Sequence, residues 1–175
     1  MENGHYVDEQ NGFRAKRSCA DHIFVLTSIL RNRKARGLST YVAFIDAEKA
    51  FDKVDRNLLL YKLLLCGVNG SMYSALKNVY RDSMNCVSVN GWLTDWFPTL
   101  QGVKQGDTIS PTLFGIYIND LVREINNEGC GINIGNRSVS CLLFADDLAL
   151  ISDSEENLQR MLNTLNTWCN KEVET

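Results

Sequence analysis

The spacing of apolar positions changes along the chain and sets out its elements. Ser18, with Asp21 three residues on, is a capping pattern that predicts a helix through Ala35, stopped at Gly37. Tyr41-Val42-Ala43-Phe44-Ile45 is a β-branched and aromatic run and predicts a buried strand ending at Asp46. Residues 58–65 and 72–80 read as helices parted by Gly67 and Gly70. Val87-Ser88-Val89 alternates, Asn90-Gly91 signals a hairpin turn, and residues 92–97 continue as the return strand. The alternation places Trp92 and Trp96 in the core. Ser110-Pro111 reads as a cap followed by proline, opening a helix whose apolar face includes Leu113, Phe114, Tyr117 and Leu121. Residues 132–134, 139–144 and 148–151 predict three strands, the first pair turned by Gly135-Asn136. Leu158, Met161, Leu162, Leu165, Trp168 and Cys169 share one face of a closing helix. Helices mixed with prominent hairpins favour an α+β class with an antiparallel sheet.

Composition narrows this little. A chain of 175 residues suits one domain and can bury a core without disulfide or metal staples. With 2 prolines and 12 glycines it is neither collagen-like nor low-complexity. The cysteines at 19, 66, 86, 130, 141 and 169 form no Cys-x-x-Cys pair, which gives no zinc or redox motif. The start, Met1-Glu2-Asn3-Gly4-His5, is polar, and no apolar run is long enough to span a bilayer. The expectation is a soluble, intracellular protein with reduced thiols and no membrane partner; nucleus or cytoplasm and the oligomeric state stay open.

The net charge of -3 argues mildly against a nucleic-acid binder, but the average hides a segregation. Residues 13–37 carry seven bases against Asp21 alone, whereas residues 140–175 carry seven acids against Arg160 and Lys171. A basic front suits an anionic partner and an acidic back suits a cation. Arg31, Arg33, Lys34 and Arg36 also end a helix, where positive charge complements the dipole in any case.

Asp46 ends the strand at 41–45, and Asp146-Asp147 lies between two apolar runs as the tip of a hairpin. If those strands are neighbours, the carboxylates converge at one sheet edge and repel unless a cation offsets them. Mg²⁺ prefers oxygen ligands and keeps waters and substrate phosphates in its shell, and a pair of such ions serves in-line phosphoryl transfer. A plain turn accounts for Asp146-Asp147 equally simply.

Four segments in order resemble the reverse transcriptase of non-LTR (LINE-type) retrotransposons. Gln10-Asn11-Gly12-Phe13-Arg14 with Arg17-Ser18 resembles an element at the fingers–palm junction. Residues 43–54, centred on Asp46, resemble the first catalytic motif. Gly102-Val103-Lys104-Gln105-Gly106-Asp107 through Phe114 resembles the nucleotide-pocket motif, and Phe144-Ala145-Asp146-Asp147 resembles the second catalytic motif. The resemblance implies an RNA-directed DNA polymerase palm that takes an RNA template, a DNA primer and deoxynucleoside triphosphates. Asp46 and Asp146 would be the principal ligands of two Mg²⁺ ions, with Mn²⁺ as a substitute, the Ala47 carbonyl a backbone ligand and Asp147 a supporting carboxylate. Phe51 would be the bulky gate that excludes a 2′-hydroxyl, although core packing explains the ring as well. Gln105 and Gly106 would line the nucleotide and template pocket, or form an ordinary polar loop before a helix. Arg14 and Arg17 would face nucleic-acid phosphates, or lie in a solvated loop.

The resemblance also implies a division into residues 1–37, a remnant of the fingers–palm junction, and residues 38–175, a palm truncated at its C-terminus. The fingers would be incomplete and the thumb absent, so weak or no polymerase activity is expected from this chain by itself. Competing readings are an inactive retrotransposon remnant, a nucleic-acid-binding module, and a nucleotidyl cyclase, which would lack the element from Gln105 to Pro111.

Overall fold

Helix α1 (Cys19–Ala35) starts at a complete capping box. The Ser18 amide donates to the Asp21 carboxylate at 2.7 Å, and the Asp21 amide donates back to the Ser18 hydroxyl at 3.4 Å. Those bonds from Ser18 hold the Asp21 carboxyl below the usual carboxylate range, so the cap weakens as pH falls through the acid range. The structure, a computed structural model, describes residues 6–173. The polar start at Met1 to His5 and the last acidic position, Glu174, lie outside the described residues.

After α1 come β1 (Tyr41–Ile45), α2 (Arg56–Leu65) and α3 (Gly70–Tyr80). Four short strands then form a nested hairpin: β2 (Met84–Asn85), β3 (Ser88–Val89), β4 (Trp92–Leu93) and β5 (Phe97–Pro98), with β2 paired to β5 and β3 to β4. Helix α4 (Ser110–Asn127) precedes the hairpin β6 (Ile132–Ile134) and β7 (Arg137–Val139). Strands β8 (Cys141–Phe144) and β9 (Asp147–Ser152) lead into α5 (Glu155–Val173).

The central sheet is antiparallel in the order β1-β9-β8. Alternation divides its side chains between two cores. Ala43, Ile45, Leu143, Leu148 and Leu150 pack with Leu59 and Leu63 of α2, Val122 and Ile125 of α4, and Met161 of α5. Val42, Leu142, Ala149 and Ile151 pack beneath Val25, Leu26 and Ile29 of α1. The α+β class and the antiparallel sheet match the sequence expectation. No helix among the described residues is long and apolar enough to cross a membrane.

Several local expectations are corrected. Strand β1 is an edge strand, not a buried one, and Phe44 is 76% exposed. Residues 139–144 do not form one strand: Ser140 separates β7 from β8, although its carbonyl still accepts the Ile151 amide at 2.8 Å. Ser110 is not the cap. Ile109 occupies that place and its amide donates to the Asp107 carboxylate at 3.2 Å, while the Ser110 hydroxyl donates to the Lys104 carbonyl at 2.6 Å. Cys169 is exposed near the end of α5, so the apolar face is not covered as far as that position. The tryptophan hairpin is outside the core, with Trp92 82% and Trp96 63% exposed. Trp92→Ser is therefore expected to change unfolding free energy by no more than about 0.5 kcal/mol in urea denaturation. A core tryptophan would cost several times that.

Candidate active site

Strand register assembles the carboxylates. Ile45 pairs with Leu148, so Asp46 and Asp147 follow as the next positions on adjacent strands. Both line a groove of about 340 Å³, together with Phe44, Phe144, Leu148 and the α1 residues Cys19 and His22. Burial pushes the His22 pKa down, favouring a neutral ring at neutral pH. Asp146 belongs to the same strand end but sits in the β8–β9 turn, outside the lining of that groove. The structure thus brings Asp46 and Asp147 to neighbouring strand positions and puts Asp146 in the turn beside them.

The turn itself is tight. Phe144 pairs with Asp147, leaving Ala145 and Asp146 as its two central residues. Ala145 has φ 58° and Asp146 is not in the positive region, as in type II′ hairpins, where glycine is the usual first residue. The side-chain amide of Gln10 faces this alanine: its oxygen accepts the Ala145 amide at 2.9 Å and its nitrogen donates to the Ala145 carbonyl at 3.0 Å.

A second cluster gathers around Phe51. Its carbonyl accepts the Val103 amide at 2.9 Å, and the Val54 carbonyl accepts the Gly102 amide at 2.8 Å. Gly102 has φ 84°, and a Cβ there would lie 2.7 Å from the Asp52 carbonyl oxygen, so the close approach requires glycine. The Gln105 amide donates to Asp52 at 2.7 Å. Buried Arg56 fastens the same loop, donating to the Gly102 carbonyl at 2.8 Å and to the Thr99 carbonyl. Gln105 borders a cleft of about 730 Å³ with Asp52, Lys104 and Gln101; Gly106, φ 85°, is exposed beside it. The half-buried Phe51 ring stacks on Phe114 at 4.3 Å and meets Phe13 edge-on at 6.2 Å. It therefore does pack, and it also joins Phe13 to α4 through its ring and to the loop at Val103 through its carbonyl.

The two arginines have internal work that the sequence reading did not foresee. Arg14 donates to the Val7 and Gln10 carbonyls, both at 3.0 Å, and its guanidinium lies 5.5 Å from the Tyr6 ring centroid. Arg17 bonds the Asp8 carboxylate at 2.9 Å and the Asn11 side chain at 3.2 Å. Both brace the loop ahead of α1.

Among the described residues, no three carboxylate, thiol or imidazole groups converge closely enough to hold an ion by themselves. Asp46, Asp146 and Asp147 nonetheless have no ion pair or side-chain hydrogen bond among the described residues. Free anionic oxygens at one strand end fit a hard divalent ion whose remaining ligands come from water and substrate phosphate. Asp52, Arg56 and above all Gln10 were not singled out from sequence. Gln10 stood inside a quoted motif, but its partner is 135 residues away.

Comparison with known proteins follows the same line. The profile of the family described as reverse transcriptase (RNA-dependent DNA polymerase) matches residues 3–173. The Retrovirus-related Pol polyprotein from type-2 retrotransposable element R2DM of Drosophila melanogaster is 31% identical over 154 residues, covering 88% of this chain and 14% of that protein. The RNA-directed DNA polymerase from mobile element jockey, also from Drosophila melanogaster, is 27% identical over 175 residues, covering 91% and 18%. The chain thus spans less than a fifth of the length of either relative. In fold it is similar to apo telomerase from Candida Tropicalis, with TM-score 0.63 at 16% identity over 89% of this chain and 32% of that one. This chain belongs to the reverse transcriptase (RNA-dependent DNA polymerase) family, alongside Pol proteins of non-LTR retrotransposable elements.

Proposed function

We propose that the chain carries the nucleotidyl-transfer centre of an RNA-directed DNA polymerase, with residues 38–175 as palm and residues 1–37 as its junction with the fingers. One observation carries the reading: Asp46 and Asp147 end neighbouring strands, and Asp146 occupies the adjoining turn. Two Mg²⁺ ions bound there would activate a primer 3′-hydroxyl and stabilise the pyrophosphate leaving group. Asp46, Asp146 and Asp147 would hold them, helped by the Ala47 carbonyl. Gln105 and Gly106 would border the nucleotide and template, on the loop that Arg56 holds to α2. Phe51, braced by Phe114, would bar a ribose 2′-hydroxyl. The exposed faces of Arg14 and Arg17 would meet phosphate only weakly, because both guanidiniums already bond the loop.

The test is primer extension on an RNA template with Mg²⁺ or Mn²⁺. Template-directed incorporation that falls steeply with added salt supports the reading. Cyclic nucleotide formed without template would overturn it. Phe51→Val is expected to lower the preference for deoxy- over ribonucleotides by roughly 10–100-fold, the effect of one opened contact in a selective pocket. Competing incorporation of the two sugars measures it, and an unchanged ratio would return Phe51 to packing alone.

A further inference from the structure

We propose that Gln10 is a positioning residue that sets the backbone of the Asp146-Asp147 turn. This rests on the reading of that turn as part of the metal centre. Ala145, the residue before Asp146, adopts a backbone conformation that residues with a Cβ rarely take, φ 58°, and it is 8% exposed. Its amide and carbonyl are therefore held away from water and need partners. Gln10, 2% exposed, supplies both from one side chain, accepting from the amide at 2.9 Å and donating to the carbonyl at 3.0 Å. An ionised carboxylate only accepts, an ammonium only donates, and a hydroxyl offers both functions from a single atom and so does not present a separate donor and acceptor to the two groups. The amide groups of Asn and Gln alone combine a carbonyl acceptor with an NH₂ donor, and Gln has the longer reach.

Gln10 is in turn fixed. Its oxygen also accepts the Gly12 amide at 2.7 Å. The Asn11 amide donates to the Leu143 carbonyl and the Leu143 amide donates to the Glu9 carbonyl, each at 2.9 Å. Residues 9–11 thus run along the free edge of β8 as a short parallel strap, ending against the turn. A Cβ at Gly12 would stand 2.2 Å from the Ala145 nitrogen, so the strap lies in contact with the turn's backbone. Gln10 touches no predicted metal ligand; it acts through Ala145.

The experiment measures Mn²⁺ affinity by electron paramagnetic resonance, alongside amide exchange at Ala145 and a melting curve, all on the full chain. Gln10→Met keeps the length and removes both polar atoms. It is expected to weaken Mn²⁺ binding roughly 10-fold, the usual scale for a group that orients metal ligands, and to speed Ala145 exchange. Adding Ala145→Gly, which adopts positive φ freely, should recover part of the lost affinity, a rescue that a purely stabilising role would not give. Gln10→Asn, one methylene shorter, should move affinity in the same direction by less, and serves if the methionine variant does not fold. Wild-type affinity in folded Gln10 variants, or no recovery with Ala145→Gly, overturns the proposal. Asp146→Asn separates the two readings. If it leaves affinity unchanged, the metal-centre reading falls and takes this role with it. If it weakens Mn²⁺ binding while the Gln10 variants do not, the Gln10 role alone falls.

Discussion

Asp146→Asn is expected to lower RNA-templated primer extension, itself weak in this chain, by on the order of 10²–10³-fold, with a melting midpoint close to that of the unaltered protein. The substitution preserves shape and removes one negative charge at the place where the divalent ions would bind. An amide oxygen is a poorer ligand than a carboxylate for a hard cation, and loss of one preorganised electrostatic contact typically costs that factor in turnover. The fold has little to lose: Asp146 sits in a turn, with no ion pair or side-chain hydrogen bond among the described residues. Asp82→Asn, at an exposed carboxylate paired with the Arg81 side chain beside it, should leave extension unchanged. Extension rates would be compared at equal folded fraction. A loss of less than about threefold for Asp146→Asn would remove this carboxylate from the chemistry.

The largest expected effect on stability is at Leu150. It lies fully buried on β9, the middle strand of the central sheet, opposite Ala43 on one side and Cys141 on the other. Its side chain enters the core shared with α2, α4 and α5. Leu150→Ala should lower unfolding free energy by about 2–5 kcal/mol, the sum of lost burial and the cavity left behind. Against a typical total of about 5–15 kcal/mol, that is a large fraction. Urea denaturation should show an earlier midpoint at unchanged slope. The neighbouring Cys141 thiol, whose pKa burial pushes up to about 12, should become reactive toward thiol reagents in the variant and stay inert in the parent. A stability change below about 1 kcal/mol would mean that β9 is not the centre of the core.

What the sequence revealed was mostly local. Ser18 and Asp21 announce α1 because both halves of a capping box lie within four residues, and Asn90-Gly91 announces its hairpin through backbone preference alone. The strand at Tyr41–Ile45 was legible from its composition, but its burial was not. Phe44 is exposed because β1 has a neighbour only on the β9 side, and pairing order is not written in a five-residue run. The same limit explains Trp92 and Trp96. Alternation tells which side chains share a face; it does not tell whether anything covers that face. Ser110 was misplaced by one residue because Asp107, three positions earlier, supplies the oxygen at the helix start. The strand-end positions of Asp46 and Asp147 and the turn position of Asp146 were legible from the apolar runs that flank them. Gln10 and Arg14 were not, because their roles lie in contacts that the chain makes only after folding, with Ala145 in one case and the Val7 carbonyl in the other.

In the proposed reading, Asp46 and the Asp146-Asp147 turn share one divalent-ion centre. Iron-directed cleavage tests it most directly. Fe²⁺ takes the place of Mg²⁺, and with ascorbate and peroxide it cuts the polypeptide close to where the ion sits. Two groups of cuts are expected, within about two residues of Asp46 and of Asp146, both suppressed by excess Mg²⁺ and both lost when Asp46 and Asp146 are changed to Asn. Cuts near only one of these positions, cuts elsewhere in the chain, or cuts that Mg²⁺ does not suppress would contradict it.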